Sequence, residues 1–325
     1  MSIKRISEMT GISSATVARA LSGNGYCSKE KFDIIMSAAR ELDYHPNLSA
    51  RALRSNHTEK ILMGIPDMCN SFYFRMIEGI TEELDKYGYY LMIFNTQHIL
   101  KKEKKLLDLL SQKYADGLIF VSFNFSEEIV EAIRKTDLPV VLTNRYEGIR
   151  KNDNFDFVYS DHILGMEMLT EHVVKTGRKN ILLIAGSNEE QTSRERIQGY
   201  KTVLARHHMP IREEYILNGG FEARGAYDVF KSFIQKNLPI DAVIAASDVM
   251  YMGCMRYIME TKFPTDDIAF AAVDNTDFSA QFGVTSLDLK QDEIGRHAVR
   301  LIMERIKDGR KVSAQEYLTP KLVIR

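Results

Sequence analysis

The sequence is poor in cysteine. Its 325 residues include only Cys27, Cys69 and Cys254, which form no closely spaced pair. A disulfide framework needs an even set of cysteines at regular spacings, so a small disulfide-stapled fold is excluded. Scattered, unpaired cysteines are typical of reduced thiols and favour a cytoplasmic protein.

Long hydrophobic runs are also missing. The longest apolar stretches, such as 117–123, are far shorter than the roughly 20 residues that a membrane-spanning helix needs. The N-terminus lacks the apolar core of a signal peptide, so we expect neither secretion nor membrane association. A hydrophobic content of 45% is ordinary for a globular protein, and 325 residues can form a small domain beside a larger two-lobed one.

The sequence has little net charge. A value of −1 argues against a general polyanion binder. The distribution is uneven, however, because residues 1–60 hold nine Lys/Arg against six Asp/Glu, whereas the remainder is net acidic. A mildly basic head on an acidic body is compatible with a head that faces phosphates.

Catalytic and cofactor motifs are missing as well. The glycines around Asn24 follow a helical pattern rather than a strand, and no G-x-x-x-x-G-K-[ST] or G-x-S-x-G sequence occurs. His207 and His208 are adjacent, so they would lie on different helix faces and make a poor metal pair. We therefore expect no catalytic residue, no metal and no cofactor, and a cytoplasmic α/β enzyme is a minor alternative.

Two short helical patterns open the chain. The first has Ile3, Ile6 and Met9 on one face and ends at Gly11, and Ser13 is a good N-cap for the second. Two short helices joined through a glycine-containing turn are typical of a helix-turn-helix, whose second helix enters the DNA major groove. The alternative is a small helical cap with no role in DNA binding.

The exposed face of the second helix carries short side chains followed by a cation. From this helix and the loop after it, we predict DNA contacts by Ser13, Ser14, Ala15, Thr16, Arg19 and Asn24. Serine and alanine offer only a hydroxyl and a methyl contact, so they do not specify an operator sequence. A third helix, capped by Ser28, would complete a three-helix head. Its inward residues would be Phe32, Ile35, Ala39 and Leu42.

After residue 60, short apolar runs alternate with amphipathic helical patterns, and the same rhythm restarts after Ser160. Buried strands between helices predict parallel, doubly wound sheets. Two such α/β halves in tandem suggest two lobes with a ligand cleft between them, at the carboxyl ends of the strands.

The order IKRISEMTGISSATVARALS, followed by YHPNLSARAL, resembles the lactose/galactose repressor family of bacterial transcription regulators. The likeness continues over nearly the whole chain. It implies a helix-turn-helix head and a two-lobed α/β core that is similar to periplasmic binding proteins. The implied divisions are a head over 1–45, a hinge over 46–57 and a core over 58–325. The implied lobes are discontinuous, with lobe one over about 60–158 and 287–318 and lobe two over about 159–284 and 319–325.

The hinge segment 48–54 is rich in helix formers but too short to be a stable helix alone. Taken by itself, it would be a solvated linker. The resemblance implies instead a hinge helix that folds on the operator, pairs with its twin in the minor groove and inserts a leucine into a base step. Leu53 occupies the place of that leucine, and we predict further DNA contacts by Ser49 and Arg51.

Polar and aromatic side chains follow several of the predicted strands. A polyol in such a cleft is held by charged and amide groups, with an aromatic ring on its C–H face. The resemblance adds an arginine, an aromatic ring and two aspartates to these groups. The predicted effector-binding residues are Phe72, Tyr73, Asn144, Asp161, Arg196, Phe221, Asp248 and Asp274. Two of them have an alternative, since Phe72 could belong to the core and Asp248 could be a helix N-cap.

These features together predict a ligand-responsive transcriptional regulator. Its partners would be a pseudo-palindromic double-stranded operator, a second copy of the chain, and a small effector for which a sugar is our first expectation. The C-terminal segment has no leucine heptads of a tetramer tail, so a dimer is favoured. Many members of that family have asparagine where this chain has Ser247, so the residues do not specify which effector binds. They also do not specify whether the effector is an inducer or a co-repressor. A binding protein for transport would share the cleft but not the head.

Overall fold

The structure is a computed structural model that describes residues 3–22, 26–44, 52, 57–122, 125–146, 148, 150 and 153–325. Two compact units divide the chain, Met1–Thr58 and Glu59–Arg325, and we call them the head and the core. The core therefore begins within one residue of the position expected from the sequence. Within the described ranges, no helix is long and apolar enough to cross a bilayer.

The described part of the head contains three helices, as the sequence predicts. They are α1 (Ile3–Thr10), α2 (Ser14–Ser22) and α3 (Lys29–Glu41). Their inner faces form a small apolar cluster of Ile6, Val17, Ala20, Ile35, Ala38 and Ala39. The predicted N-cap is confirmed, because the hydroxyl of Ser13 accepts the Thr16 N–H at 3.3 Å.

Two details of α3 differ from the prediction. Phe32 is 40% exposed rather than inward, because the buried stripe of the helix begins one turn later, at Ile35. Ser28 occupies the N-cap position, but its hydroxyl accepts no capping hydrogen bond from the described residues. The first turn is closed instead by the backbone, since the Phe32 N–H donates to the Ser28 carbonyl at 2.9 Å.

Lobe one of the core is built on a parallel sheet. Its strands are β1 (Lys60–Ile65), β2 (Tyr90–Asn95), β3 (Gly117–Phe120), β4 (Val140–Leu142), β5 (Asp156–Ser160) and β11 (Gln315–Leu318), in the order β11-β5-β4-β3-β1-β2. Its helices are α4 (Phe72–Asp85), α5 (Leu100–Ser111), α6 (Glu127–Arg134) and α12 (Gln291–Lys307). Alternate residues of β1 are buried on opposite faces, Met63 against α4 and α12 and Leu62 against α5 and α6. This burial on both faces explains the continuous apolar run.

Lobe two repeats this strand order, but among the described residues it has one more helix and a different edge-strand direction. Its strands are β6 (Ile181–Ala185), β7 (Ile216–Asn218), β8 (Ala242–Ala245), β9 (Ala269–Val273), β10 (Thr285–Asp288) and β12 (Lys321–Val323), in the order β12-β10-β9-β8-β6-β7. Its helices are α7 (His162–Lys175), α8 (Gln191–Arg206), α9 (Ala223–Ile234), α10 (Asp248–Thr261) and α11 (Asp277–Gln281). The edge strand β12 runs antiparallel to β10, whereas β11 runs parallel to β5 in lobe one. The predicted architecture, a helix-turn-helix head and a two-lobed α/β core, is confirmed.

Glycines allow the helices of lobe one to pack closely. A Cβ at Gly79 of α4 would overlap the backbone carbonyl of Asp292, and a Cβ at Gly295 of α12 would overlap that of Met76. The two helices therefore approach each other through a pair of glycines at their crossing point, where any larger residue would force them apart.

The chain passes between the lobes three times, at residues 160–161, 289–290 and 319–320. These passages are hydrogen-bonded to one another, since the Ser160 hydroxyl donates to the Leu289 carbonyl at 2.7 Å and the Asp161 N–H donates to the Leu318 carbonyl at 3.1 Å. The lobe boundaries shift slightly from those expected at 158 and 287. Strand β5 continues to residue 160, and β10 pairs with β9, which places residues 285–288 in lobe two.

Candidate functional site

A cavity of ≈ 280 Å³ lies between the two lobes, at the carboxyl ends of their parallel strands. Its lining residues are Pro66, Asp67, Asn70, Phe72, Tyr73, Gln97, His98, Asn144, His162, Thr192, Arg196, Gly220, Phe221, Glu222, Ser247 and Asp274. A mixture of aromatic rings and converging polar groups in a cleft of this size is typical of a small-molecule site.

Lobe one supplies the aromatic wall and several neutral polar groups. The turn after β1 carries Phe72 and Tyr73, whose rings pack edge to face at 5.2 Å. The amide of Asn144, after β4, donates to the Ser122 carbonyl at 2.9 Å and is held at the cavity edge. Tyr73 is 2% exposed, and burial raises the pKa of its hydroxyl well above the usual value, so the group stays protonated.

Lobe two supplies the buried charge. Arg196 in α8 is 4% exposed, and its guanidinium donates to the Ala246 carbonyl, lies 4.0 Å from the Asp274 carboxylate and sits 5.4 Å from the centre of the Phe221 ring. Its Nε has no hydrogen-bond partner among the described residues. A buried polar atom without a partner costs free energy, and a ligand that accepts from it would recover that cost.

Asp274 directly follows β9 and has an unusual backbone conformation. Its φ is +107°, a region that L residues rarely adopt and that is frequent at functional sites. One carboxylate oxygen accepts the Asp248 N–H at 3.2 Å. Burial raises the pKa of Asp274 to about 8, against the opposing effect of Arg196, so this carboxyl can donate a hydrogen bond near neutral pH.

The Phe221 ring is held in place by local backbone geometry. Phe221 has a φ of +55°, in the left-handed region, and its ring lies directly over Gly186 at the end of β6. A Cβ on Gly186 would overlap the ring, so glycine is needed there to let the aromatic face reach the cavity.

Six of the eight predicted effector residues line this cavity, namely Phe72, Tyr73, Asn144, Arg196, Phe221 and Asp274. Phe72 does so while also packing against apolar clusters of both lobes, so its two alternatives are not exclusive. Their part in ligand binding stays a prediction.

Asp161 and Asp248 lie outside the cavity lining, so the cavity gives no support to the prediction that they bind the effector. The Asp161 carboxylate caps α7 by accepting the Leu164 N–H at 2.9 Å. Asp248 is 1% exposed and accepts hydrogen bonds from Ser279 and from the backbone and hydroxyl of Thr276. It therefore anchors the turn after β9, while the hydroxyl of Ser247 caps α10 by accepting the Met250 N–H at 3.2 Å.

Several lining residues were missed by the sequence reasoning. Asp67 follows β1, and Gln97 and His98 follow β2, so the rule that strand ends line the cleft could have found them. His162 and Glu222 stand next to predicted residues, but no pattern in the sequence separates them from their neighbours.

The predicted DNA-contacting residues of α2 lie on one exposed face of the head. Ser13, Ser14, Ala15 and Arg19 are exposed and Thr16 is half-buried, while Val17 points into the head. The Arg19 guanidinium donates to the Ala15 carbonyl at 3.3 Å, along the same face. Asn24 and the hinge residues Ser49, Arg51 and Leu53 lie outside the described residues.

Comparisons with known proteins agree with this architecture. Residues 2–47 match the family described as "Bacterial regulatory proteins, lacI family", and residues 58–325 match "Periplasmic binding proteins and sugar binding domain of LacI family". The HTH-type transcriptional repressor PurR of Histophilus somni (strain 2336) is 30% identical over 329 residues, covering 99% of this chain and 97% of the relative.

Two solved structures are similar along the whole chain. A Lacl family transcriptional regulator from Silicibacter pomeroyi has a TM-score of 0.79 at 24% identity, with 100% of this chain and 98% of that chain covered. A complex of the transcriptional regulator CelR with cellobiose has a TM-score of 0.76 at 21% identity, with 100% and 99% covered. Relatives of this kind are transcriptional regulators, which agrees with the prediction of a regulator rather than an enzyme. The chain belongs to the LacI family of bacterial regulatory proteins.

Proposed function

We propose that the protein is a cytoplasmic, homodimeric transcriptional repressor whose affinity for operator DNA is set by a small effector, with a sugar as the first expectation. The observation that supports it most directly is the buried pair of Arg196 and Asp274 at the interlobe cavity. The Arg196 guanidinium and the Asp274 carboxyl are 4.0 Å apart and only partly hydrogen-bonded. A ligand with adjacent hydroxyl groups can bridge such a pair, with Phe221 against its C–H face.

The class of effector is inferred from the chemistry of the cavity. Carboxyl, guanidinium and amide groups beside aromatic rings suit a polyhydroxylated ring. The cellobiose complex of a structural relative supports the same class. The effector contacts that we propose are Phe72, Tyr73, Asn144, Arg196, Phe221 and Asp274.

The DNA interface that we propose is the exposed face of α2. Two heads of a dimer would read the two halves of a pseudo-palindrome, with Ser13, Ser14, Ala15, Thr16, Arg19 and Asn24 facing the major groove. The hinge would add minor-groove contacts by Ser49, Arg51 and Leu53. Because binding free energies are reciprocal, an effector that weakens operator binding must itself be weakened by operator, by the same factor.

Pulldown of genomic fragments, followed by footprinting at physiological salt, tests this proposal. We expect discrete protected sites with two-fold symmetry, and calorimetry against a sugar and nucleobase panel should find an effector that changes their occupancy. Protection spread uniformly over unrelated sequences would contradict a sequence-specific regulator.

Arg19→Ala tests the proposed face. We expect operator affinity to fall by about 1–3 kcal/mol, the range for loss of one good base contact. Arg40→Ala removes an exposed arginine from α3 of the same head and should leave the affinity nearly unchanged. Equal losses in the two variants would indicate general electrostatics rather than a specific face.

A further inference from the structure

We propose that His162 is a direct effector contact and that it selects an uncharged ligand, bound through a hydroxyl or ring N–H group, over a phosphorylated one. This inference rests on the proposed function, because it assigns a further residue to the same cavity.

The position of His162 is fixed by its surroundings. It is the first residue of α7, immediately after the first passage between the lobes. The Asp161 carboxylate caps that helix, and the Ser160 hydroxyl binds the Leu289 carbonyl of the second passage. The imidazole is therefore presented to the cavity from backbone that is hydrogen-bonded on both lobes.

The imidazole has an unmet hydrogen-bonding capacity. His162 is 8% exposed and lines the cavity, and its Nδ1 is buried without a partner among the described residues. An unsatisfied buried polar atom costs free energy, so a ligand that pairs with this ring recovers that cost. A histidine that served only to pack the core would be expected to have its ring nitrogens satisfied.

The ring is neutral at physiological pH. Burial lowers the pKa of His162 well below its usual value, and the nearby charge of Arg196 lowers it further. A neutral imidazole has one N–H donor and one bare nitrogen acceptor, which match a hydroxyl or a ring N–H group. It offers no positive charge to a phosphate.

The charges around the cavity disfavour an anion as well. Asp67 from lobe one and Glu222 from lobe two both line the mouth. Among the described lining residues, Arg196 is the one permanent cation, and it already contacts the Ala246 carbonyl and lies near Asp274. A phosphate would therefore meet these two carboxylates with Arg196 as the single cation of the described lining, and an uncharged ligand avoids this repulsion.

The experiment uses the full chain and matched pairs of compounds. Ribose, glucose and guanosine are each compared with their 5- or 6-phosphorylated form, and cellobiose is added, in thermal-shift and calorimetric titrations. We expect binding of an uncharged compound and at least tenfold weaker binding of its phosphate. His162→Ala should weaken the uncharged compound roughly tenfold or more, and His162→Gln, which keeps a donor and an acceptor, should recover part of that loss.

His172→Ala is the matched control, because His172 lies in the last turn of the same helix and does not line the cavity. It should bind the same compound with wild-type affinity. The ¹⁵N resonances of the His162 ring should shift on addition of the compound in the wild type, a change that a purely structural histidine would not show.

Equal affinity of wild type and His162→Ala for the bound compound, or preference for the phosphorylated partner, would overturn the inference while leaving the proposed regulator intact. Absence of both effector binding and a discrete operator would instead contradict the proposed function, and this inference with it.

Discussion

The two lobes of the core each bury a carboxylate, but in opposite electrostatic settings. Asp156 of lobe one is fully buried and accepts hydrogen bonds from Arg305, Arg310 and the Ala314 N–H. Burial alone would raise the pKa of Asp156, but these donors outweigh it and hold the pKa below the usual value. Asp274 of lobe two has an arginine only at 4.0 Å, and its pKa is raised.

The difference separates a structural charge from one available for binding. Asp156 has its hydrogen-bonding capacity filled by protein groups, which join α12 and the segment before β11 to β5. Asp274 and its neighbour Arg196 line the cavity, and their hydrogen-bonding groups are only partly satisfied by the described residues. Removing one member of a fully paired buried group is destabilising, and we propose that the incompletely paired Asp274 and Arg196 complete their hydrogen bonds with a ligand.

Removal of the structural carboxylate should have the largest effect on stability. Asp156→Ala leaves Arg305 without its carboxylate partner and Arg310 with only Glu304, and we expect the free energy of unfolding to fall by about 3–5 kcal/mol in urea titrations at pH 7. Because the pKa of Asp156 is lowered, its contribution is present at neutral pH and is lost as pH falls through the folded pKa. The deficit should therefore shrink in acid.

The control is Asp108→Ala, which removes an exposed carboxylate from α5 of the same lobe and should change stability little. Effector affinity of the folded Asp156→Ala protein should remain within a few-fold of wild type. A large loss of affinity would contradict the proposal that Asp156 serves the fold and Asp274 serves the ligand.

Arg196→Ala should have the largest effect on effector binding. It removes the guanidinium beside Asp274 and Phe221, and we expect a loss of about 2–5 kcal/mol of binding free energy by calorimetry. Arg206→Ala, at the exposed end of the same helix, should bind normally. Wild-type affinity in Arg196→Ala would mean that the buried pair is not the binding site.

Asp274→Asn should have a smaller effect on stability than Asp156→Ala, and of opposite sign. The Asp274 carboxyl has a pKa of about 8 in the folded protein and an ordinary pKa of about 4 in the unfolded chain. Between these values the folded protein binds one more proton than the unfolded chain, so stability falls as pH rises from about 4 to 8. Asparagine removes this dependence and tolerates the positive φ. We expect a gain of roughly 1–3 kcal/mol at pH 8 and little gain at pH 4.5, with weaker effector binding. If the free energy of unfolding of the two proteins changed with pH in parallel, the pKa of Asp274 would not be raised in the folded protein.

Sequence reasoning found the elements that periodicity and topology dictate. The cavity lies where it was expected because parallel strands end at one edge of a sheet, and that rule needs only the order of strands. The same rule could not separate Asp274 from Asp248, because both follow a strand. One faces the cavity and the other faces a turn, which depends on backbone angles such as the φ of +107° at Asp274.

Some of the elements missed by sequence reasoning have weak signals. Strand β7 has three residues and is only partly buried, and α11 has five. Each is held by its neighbours in the fold rather than by its own propensity. His162 could not be predicted for a related reason, since its burial and its unpartnered Nδ1 exist only in the folded core.

The three passages between the lobes have a consequence for the evolution of this gene. Residues 315–318 and 321–323 give an edge strand to each sheet, so each lobe is assembled from distant parts of the chain. A single recombination breakpoint cannot therefore exchange one lobe for a homologous one intact.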